Sequence, residues 1–219
     1  MDVSTRAFDH FGRDLSRARG NDMKPDAATV SVYDAKTQEY KNLSKTDKEV
    51  KVEAKFVSLV KPGGTVLDYG CGPGRTAGYF AQKGLVSHAF DASEEMVQLA
   101  SAREGVQAWQ AGFHDFEATQ FYDGIWASFS LLHAPRRDIA MLLSAIKTAL
   151  KPEGIFYLGL KLGSGEARDS LGRFYTYYEQ DEVADLLKTH GFTWLSHKTG
   201  EDVGLDGTLA AWIGILSRA

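Results

Sequence analysis

The stretch "LDYGCGPGR", Leu67 to Arg75, constrains this chain more than any other. Glycines at 70, 72 and 74 alternate behind an apolar run that contains Asp68. Glycine reaches positive φ at no steric cost and lets a ligand approach the main chain. "TVLDYG" (65–70) reads as a buried strand, and "RTAGYFAQK" (75–83) as a helix closed by Gly84. Strand, bare turn and helix in that order aim the helix N-terminus at whatever occupies the turn. The expected ligand is small and polar or charged.

The same alternation continues along the chain. "VSHAFD" (86–91), "VQAWQA" (106–111), "YDGIWAS" (122–128) and "IFYLGLK" (155–161) read as further strands. Ser93 caps a helix carrying Glu94 and Glu95 in its first turn, and Pro135 opens one with Ile139, Leu142, Leu143, Ile146 and Leu150 inward. A polar stretch, 163–178, is long for a loop. A helix near 180–190 and the strands "FTWLSHK" and "TLAAWIGILS" (208–217) follow. Upstream, 30–40 reads as a short helix, "TDKE" (46–49) has the form of a capping box, and Val52, Phe56, Leu59 and Val60 share a helical face. Residues 1–27 form a charged arm with Phe8, Phe11 and Leu15 at helical spacing. Strands separated by amphipathic helices give a mostly parallel sheet covered on both faces. Ligands of such sheets lie beyond the carboxyl ends of the strands, at a topological switch point.

Asp91 ends the second strand, seventeen residues past Gly74. A carboxylate there can accept from both hydroxyls of a ribose, so the ligand carries a nucleoside. A dinucleotide is the natural competitor. Its G-x-G-x-x-G fingerprint would need glycine at position 75, which is Arg75. A carboxylate at Asp68 would also repel a pyrophosphate, whereas an ammonium group would tolerate it.

Composition narrows the partners. The chain has 219 residues, 43% of them hydrophobic, enough for one core and a single domain. Within it, 1–45 would be arm and cap, and 46–219 the binding core. A net charge of -4 leaves no basic stripe for nucleic acid. Neither an apolar leader nor a run of ~18 apolar residues is present, so a cytoplasmic protein without a membrane partner is expected. One cysteine, Cys71, and six scattered histidines suggest no disulfide framework and no metal site. Trp109, Trp126, Trp194 and Trp212 lie in expected strands and read as core.

"VLDYGCGPGRTAGYFAQKG", followed by "HAFDASEEMVQLA" and "FYDGIWASFSLLHAPR", resembles the cofactor-binding core of class I S-adenosylmethionine-dependent methyltransferases. "YDGIWASFSLLHAP" and "GRFYTYYEQDEVADLL" are similar to small bacterial tellurite-resistance-like methyltransferases. The resemblance implies an α/β, Rossmann-like, doubly wound seven-stranded sheet, mostly parallel with an antiparallel last strand, and N-terminal cap helices. It implies S-adenosyl-L-methionine as cofactor and S-adenosyl-L-homocysteine as product. Asp68, Gly70, Gly72 and Gly74 would surround the methionine moiety, and Arg75 would reach its carboxylate. Asp91 would hold the ribose, with Ala92, Ser93 and Met96 along the adenosine. Phe113 and His114 would stand by the adenine, and Ala127 and Ser128 near the methionine. Tyr33 and Tyr40 would close a lid. Relatives often carry an acid straight after the third strand; here Asp115 is displaced, so Phe113, His114 and Asp115 all remain candidates for the adenine.

Methyl transfer from a sulfonium is an in-line displacement, and the protein mainly supplies orientation. His133, just after the fourth strand, is the candidate base, or a histidine that shapes the pocket. Lys161, Arg168, Arg173 and Tyr175 follow the fifth strand on the cofactor side and would bind a small acceptor, anionic if the arginines clamp it. The reading is a methyltransferase acting as monomer or homodimer; a non-catalytic sensor or a nicotinamide oxidoreductase are its alternatives.

Overall fold

The structure, a computed structural model, describes residues 24–42 and 47–219. Residues 1–23 of the expected N-terminal arm and Thr46 of the capping box lie outside the described residues. Seven helices and nine strands follow in order: α1 (Ala27–Ala35), α2 (Thr37–Asn42), α3 (Asp47–Leu59), β1 (Thr65–Tyr69), α4 (Arg75–Gln82), β2 (Val86–Asp91), α5 (Glu94–Ser101), β3 (Val106–Gln110), β4 (Tyr122–Ser128), α6 (Ile139–Ala149), β5 (Leu150–Lys161), β6 (Glu166–Arg168), β7 (Phe174–Thr176), α7 (Gln180–Thr189), β8 (Thr193–Val203) and β9 (Leu209–Arg218).

Seven strands make one sheet in the order β3-β2-β1-β4-β5-β9-β8. β1 to β5 run parallel, and β9 pairs antiparallel with both β5 and β8. This is the expected seven-stranded sheet with its antiparallel last strand. The order reverses between β1 and β4, which places the switch point beside the glycine turn.

The strand period of two builds both faces of the sheet. Leu67, Tyr69, Ile125, Ala127, Phe156 and Leu158 bury one way, in a core shared with Leu142, Leu143 and Ile146 of α6 and Val183 and Leu187 of α7. Val66, Trp126, Ile155 and Tyr157 bury the other way, against Phe56 of α3 and Phe80 of α4. Gly124 lets α3 come close, since a Cβ there would lie 2.6 Å from the Phe56 ring. α4 and α5 approach β2 over a small-residue cluster of Ala77, Ala89 and Ala100.

Three expectations change. The stretch 30–40 is not one helix. α1 begins at Ala27 because Asp26 caps it, accepting from the Thr29 N–H at 2.8 Å. The chain then breaks at Lys36, and the buried Thr37 hydroxyl bonds back to the carbonyls of Asp34 and Tyr33. The long stretch 163–178 is a hairpin of β6 and β7 rather than a loop, with Ala167 opposite Tyr175. After Pro135 a 3-10 turn (Arg136–Asp138) precedes α6, and Leu150 leaves the helix to start β5. No helix among the described residues is long and apolar enough to cross a membrane.

Candidate functional site

A cavity of about 560 Å³ opens at the carboxyl ends of β1, β2 and β4. Its floor is the glycine turn. Gly70, Gly72 and Gly74 all have positive φ, at 75°, 50° and 67°. A Cβ on Gly70 would meet the Ser130 Cβ at 2.4 Å, and one on Gly74 would meet Ala100 of α5 at 2.7 Å. A Cβ on Gly72 would meet nothing within 4 Å, so its bare face looks into open space. The turn's own N–H groups are mostly spent within the protein: those of Gly70 and Cys71 go to the Phe90 carbonyl of β2, and that of Gly74 to the Cys71 carbonyl. What the glycines offer a ligand is room.

Two carboxylates brace this turn. Gly74 sits at the N-cap of α4 and has no side chain to cap it. Asp68, buried on β1, reaches over and accepts from the Ala77 N–H at 3.1 Å. Asp91 accepts from Gly72 N–H at 2.8 Å and from Ser93 N–H at 3.0 Å. Burial pushes the Asp91 carboxyl above its ordinary range, and those two N–H groups pull it back. Each carboxylate oxygen accepts more than one bond, so capacity for two hydroxyls remains. Cys71 is buried beside them, and burial, then Asp91 and Asp68, raise its thiol far from ionisation. It is small filling, not a nucleophile.

Ala92, Ser93 and Met96 continue the wall, with Phe113 and His114 beyond them. Phe113 is stacked on Tyr69 with ring centroids 5.3 Å apart, and the Tyr69 hydroxyl donates to its carbonyl. His114 Nε2 lies 3.3 Å from Asp138, while its Nδ1 is buried with no partner. Asp115 is not on the cavity; it accepts from Gly112 N–H and closes its own turn. Of the three adenine candidates, Phe113 and His114 are in place.

The opposite wall comes from far along the chain. Tyr33 and Tyr40 of the cap helices face the hairpin, rings 5.1 Å apart. The Tyr33 hydroxyl lies 2.7 Å from His133 Nε2, and His133 Nδ1 lies 2.6 Å from the Phe174 carbonyl. A carbonyl only accepts, so Nδ1 carries the proton, and Nε2 accepts from Tyr33. Burial depresses the His133 pKa to about 4, so the ring is neutral at pH 7. Both ring nitrogens are thus engaged. His133 holds the Tyr33 hydroxyl in place, which fits the pocket-shaping alternative for this residue rather than a free base.

The arginines are corrected likewise. Arg173 pairs with Asp169 at 2.6 Å, both nearly sealed, and also donates to the Tyr40 hydroxyl. Arg168 grips Asp26 with two nitrogens, at 2.9 and 2.7 Å. Each guanidinium already faces a carboxylate, and the pairs tie the hairpin to the cap instead of waiting for an anion. The Phe174 N–H adds a bond to the Thr29 hydroxyl, and the Ser93 hydroxyl bonds Asp34, so α1 is latched at both ends of the cavity. Lys161 is different. Its ammonium stands 4.1 Å from the centre of the Tyr175 ring, and burial lowers its pKa.

Asp68, Gly70, Gly72, Arg75, Asp91, Ser128 and the other expected residues therefore converge on one cavity, with three exceptions. Asp115 closes its own turn, Gly74 is taken up by packing on Ala100, and Ala127 points the opposite way, into the core under α6. Sequence reasoning missed Asp26, Thr29, Ser130 and Leu205, which also line it. "KPDAAT" carried the one readable signal, an aspartate three residues before Thr29.

The fold is shared with solved proteins. The 1,6-didemethyltoxoflavin-N1-methyltransferase of Burkholderia thailandensis, crystallised with 1,6-didemethyltoxoflavin and S-adenosylhomocysteine, is 20% identical, with a TM-score of 0.71 over 92% of both chains. A TehB-like SAM-dependent methyltransferase of Corynebacterium glutamicum is 16% identical, with a TM-score of 0.64 over 85% of this chain and 97% of that one. Phosphoethanolamine N-methyltransferase 2 of Haemonchus contortus, in complex with S-adenosyl-L-methionine, is 14% identical, with a TM-score of 0.65 over 86% of this chain and 56% of that one. At these identities the likeness shows the fold, that of class I S-adenosylmethionine-dependent methyltransferases. Within that fold, residues 66–154 match the family model described as a methyltransferase domain. No curated protein matches the chain by sequence. Residues 66–154 are thus similar to a methyltransferase domain, and the resemblance read from the sequence is borne out.

Proposed function

We propose that the protein transfers a methyl group from S-adenosyl-L-methionine to a small-molecule acceptor, leaving S-adenosyl-L-homocysteine. The observation that carries this is the convergence of the glycine turn and the Asp91 carboxylate on one cavity, at the switch point of the sheet. The cofactor fits the residues present. Asp91 would hold the two ribose hydroxyls, Ala92, Ser93 and Met96 the adenosine, and Phe113 and His114 the adenine. The amino-acid tail would rest over Gly70 and Gly72, its ammonium near Asp68 and its carboxylate near Arg75. When bound, the cofactor supplies a methyl group already activated on a positive sulfur.

What remains for the chain is placement and exclusion of water. Orientation of this kind is worth up to ~7–11 kcal/mol in favourable cases. α1, α2 and the β6–β7 hairpin serve as the cover, pinned by the pairs Asp26–Arg168 and Tyr33–His133. With Arg168 and Arg173 each matched by a carboxylate, Lys161, which makes no ion pair among the described residues, is a cation left to meet an acceptor. An enclosed cavity under such a cover suits a small acceptor, as do the toxoflavin precursor and phosphoethanolamine named for the two structural neighbours. The lone, unpaired Cys71 fits a reducing compartment, the cytoplasm.

Calorimetry is the test. S-adenosylhomocysteine should bind and NAD should not. Binding of NAD with none of S-adenosylhomocysteine would overturn the proposal.

A further inference from the structure

A second cavity, of about 420 Å³, lies against the first. Thr76, Trp126, Ser128, Phe129, Lys161 and Gly204 line both, so the two meet along a seam at the ends of β4 and β5.

Its walls are aromatic, and glycines make room for them. Trp212 of β9 pairs with Gly200 of β8, and its ring lies where a side chain on Gly200 would be; a Cβ there would stand 2.7 Å from the indole. The Trp212 N–H donates to Asp202 at 2.7 Å, which fixes the ring's turn about its own bond. Phe129 meets Trp212 edge-on, centroids 6.3 Å apart. Tyr157 stacks on Trp126 at 3.7 Å, and its hydroxyl fills the place of a Cβ on Gly214. Phe129 itself has a φ of 54°, a conformation that costs a non-glycine residue on the order of 1–3 kcal/mol and clusters at functional sites. The sequence placed Trp212 in the core; it is instead a half-buried wall of this chamber.

The charges decide what fits. The carboxylates on this cavity already have donors: Glu53 takes the Thr76 hydroxyl, and Asp202 takes Trp212. Lys198 lies on the exposed rim. Lys161, at the seam, makes no ion pair among the described residues; Tyr175 offers it a ring face, and Asp206 and Asp169 act on it at longer range. Among the described residues no oxygen accepts a hydrogen bond from its ammonium.

The geometry points to the second cavity as the acceptor chamber, and to a planar aromatic anion, a phenolate or an ionised ring N–H, as the acceptor class. The acceptor's ring lies against Trp212 and Phe129, and its charged atom meets Lys161 at the seam, facing the cofactor cavity. This rests on the methyl-transfer reading of the first cavity and adds the acceptor's class and place. The anionic atom forms the new bond to the methyl carbon as the sulfur–methyl bond breaks. The electron pair of that bond stays on sulfur, the acceptor becomes neutral, and no proton moves. Lys161 keeps its proton throughout, and His133 is not needed as a base.

The test titrates three probes into the protein saturated with S-adenosylhomocysteine. These are 4-nitrophenolate, a planar anion; nitrobenzene, planar and neutral; and cyclohexanecarboxylate, an anion without a planar ring. 4-Nitrophenolate is expected to bind about tenfold more tightly than either of the others. Lys161→Met and Trp212→Leu should each weaken it about tenfold, and Trp212→Leu should leave S-adenosylhomocysteine affinity as it was. Absence of 4-nitrophenolate binding, equal affinity for the three probes, or wild-type affinity in both variants would overturn the inference. Failure of the wild type to bind S-adenosylhomocysteine would strike the methyl-transfer reading itself.

Discussion

The two ends of the main cavity are built by different means. At the cofactor end, nine residues of continuous chain and the tip of the neighbouring strand suffice: Gly70 to Gly74 set the backbone, and Asp91 braces it. At the other end, under the cap helices and the β6–β7 hairpin, the bonds span the chain. Asp26 and Arg168 are 142 residues apart, Tyr40 and Arg173 are 133, and Tyr33 and His133 are 100. The first end is a glycine backbone at positive φ that the sheet holds in place. The second is a set of side-chain pairs between parts that could separate. A rigid end suits a ligand that never changes, and a jointed end suits one that must enter and leave.

Four measurements would sharpen or break that contrast. The largest effect is expected at the sealed ion pair of the hairpin end. Asp169→Ala strands the Arg173 guanidinium and should cost about 3–5 kcal/mol of stability by denaturant melts. S-adenosylhomocysteine affinity should hold near wild type under folding conditions; a parallel collapse would mean the ends are one unit. Next is a pH effect at His133. Its folded pKa, about 4, lies below the ordinary 6.5, so the unfolded chain takes up the proton first. Its contribution is therefore whole above about pH 6.5 and declines as pH falls towards 4, by at most about 3 kcal/mol. His133→Phe should remove that part of the slope; an unchanged slope would place the proton elsewhere.

Gly70→Ala comes third. A side chain at a φ of 75°, 2.4 Å from Ser130 Cβ, should cost about 2 kcal/mol and weaken S-adenosylhomocysteine. A variant that binds as well as wild type would show that the bare turn is not the cofactor's seat. The smallest effect belongs to Arg168→Met. Its pair with Asp26 is exposed, so the melting temperature should barely move and should lose what sensitivity to salt the pair confers. A large loss there would mean the latch dominates the closed form.

The same contrast explains what the sequence disclosed. The sheet followed from alternating patterns, and its switch point from the glycine turn, because both are written in neighbouring residues. Asp91 was legible from its strand end. His133 was found from its place after β4, yet its neutral, doubly bonded state was not, since its partners Tyr33 and the Phe174 carbonyl lie 100 and 41 residues away. Arg173 looked like a free cation because nothing in the local pattern says that Asp169 folds back on it across a hairpin turn. That hairpin was itself hidden, as its strands β6 and β7 are only three residues each. Trp212 read as core because the pairing with Gly200, which turns its ring toward a cavity, depends on register and not on composition.

The account stands or falls on Asp91. Calorimetric titration of S-adenosylhomocysteine into Asp91→Ala, beside the folded wild type, tests it most directly. Two hydrogen bonds to a charged carboxylate are lost, and the expected drop in affinity is about 100-fold. An affinity equal to that of wild type would contradict a nucleoside held at the tip of β2, and with it the assignment of the cavity.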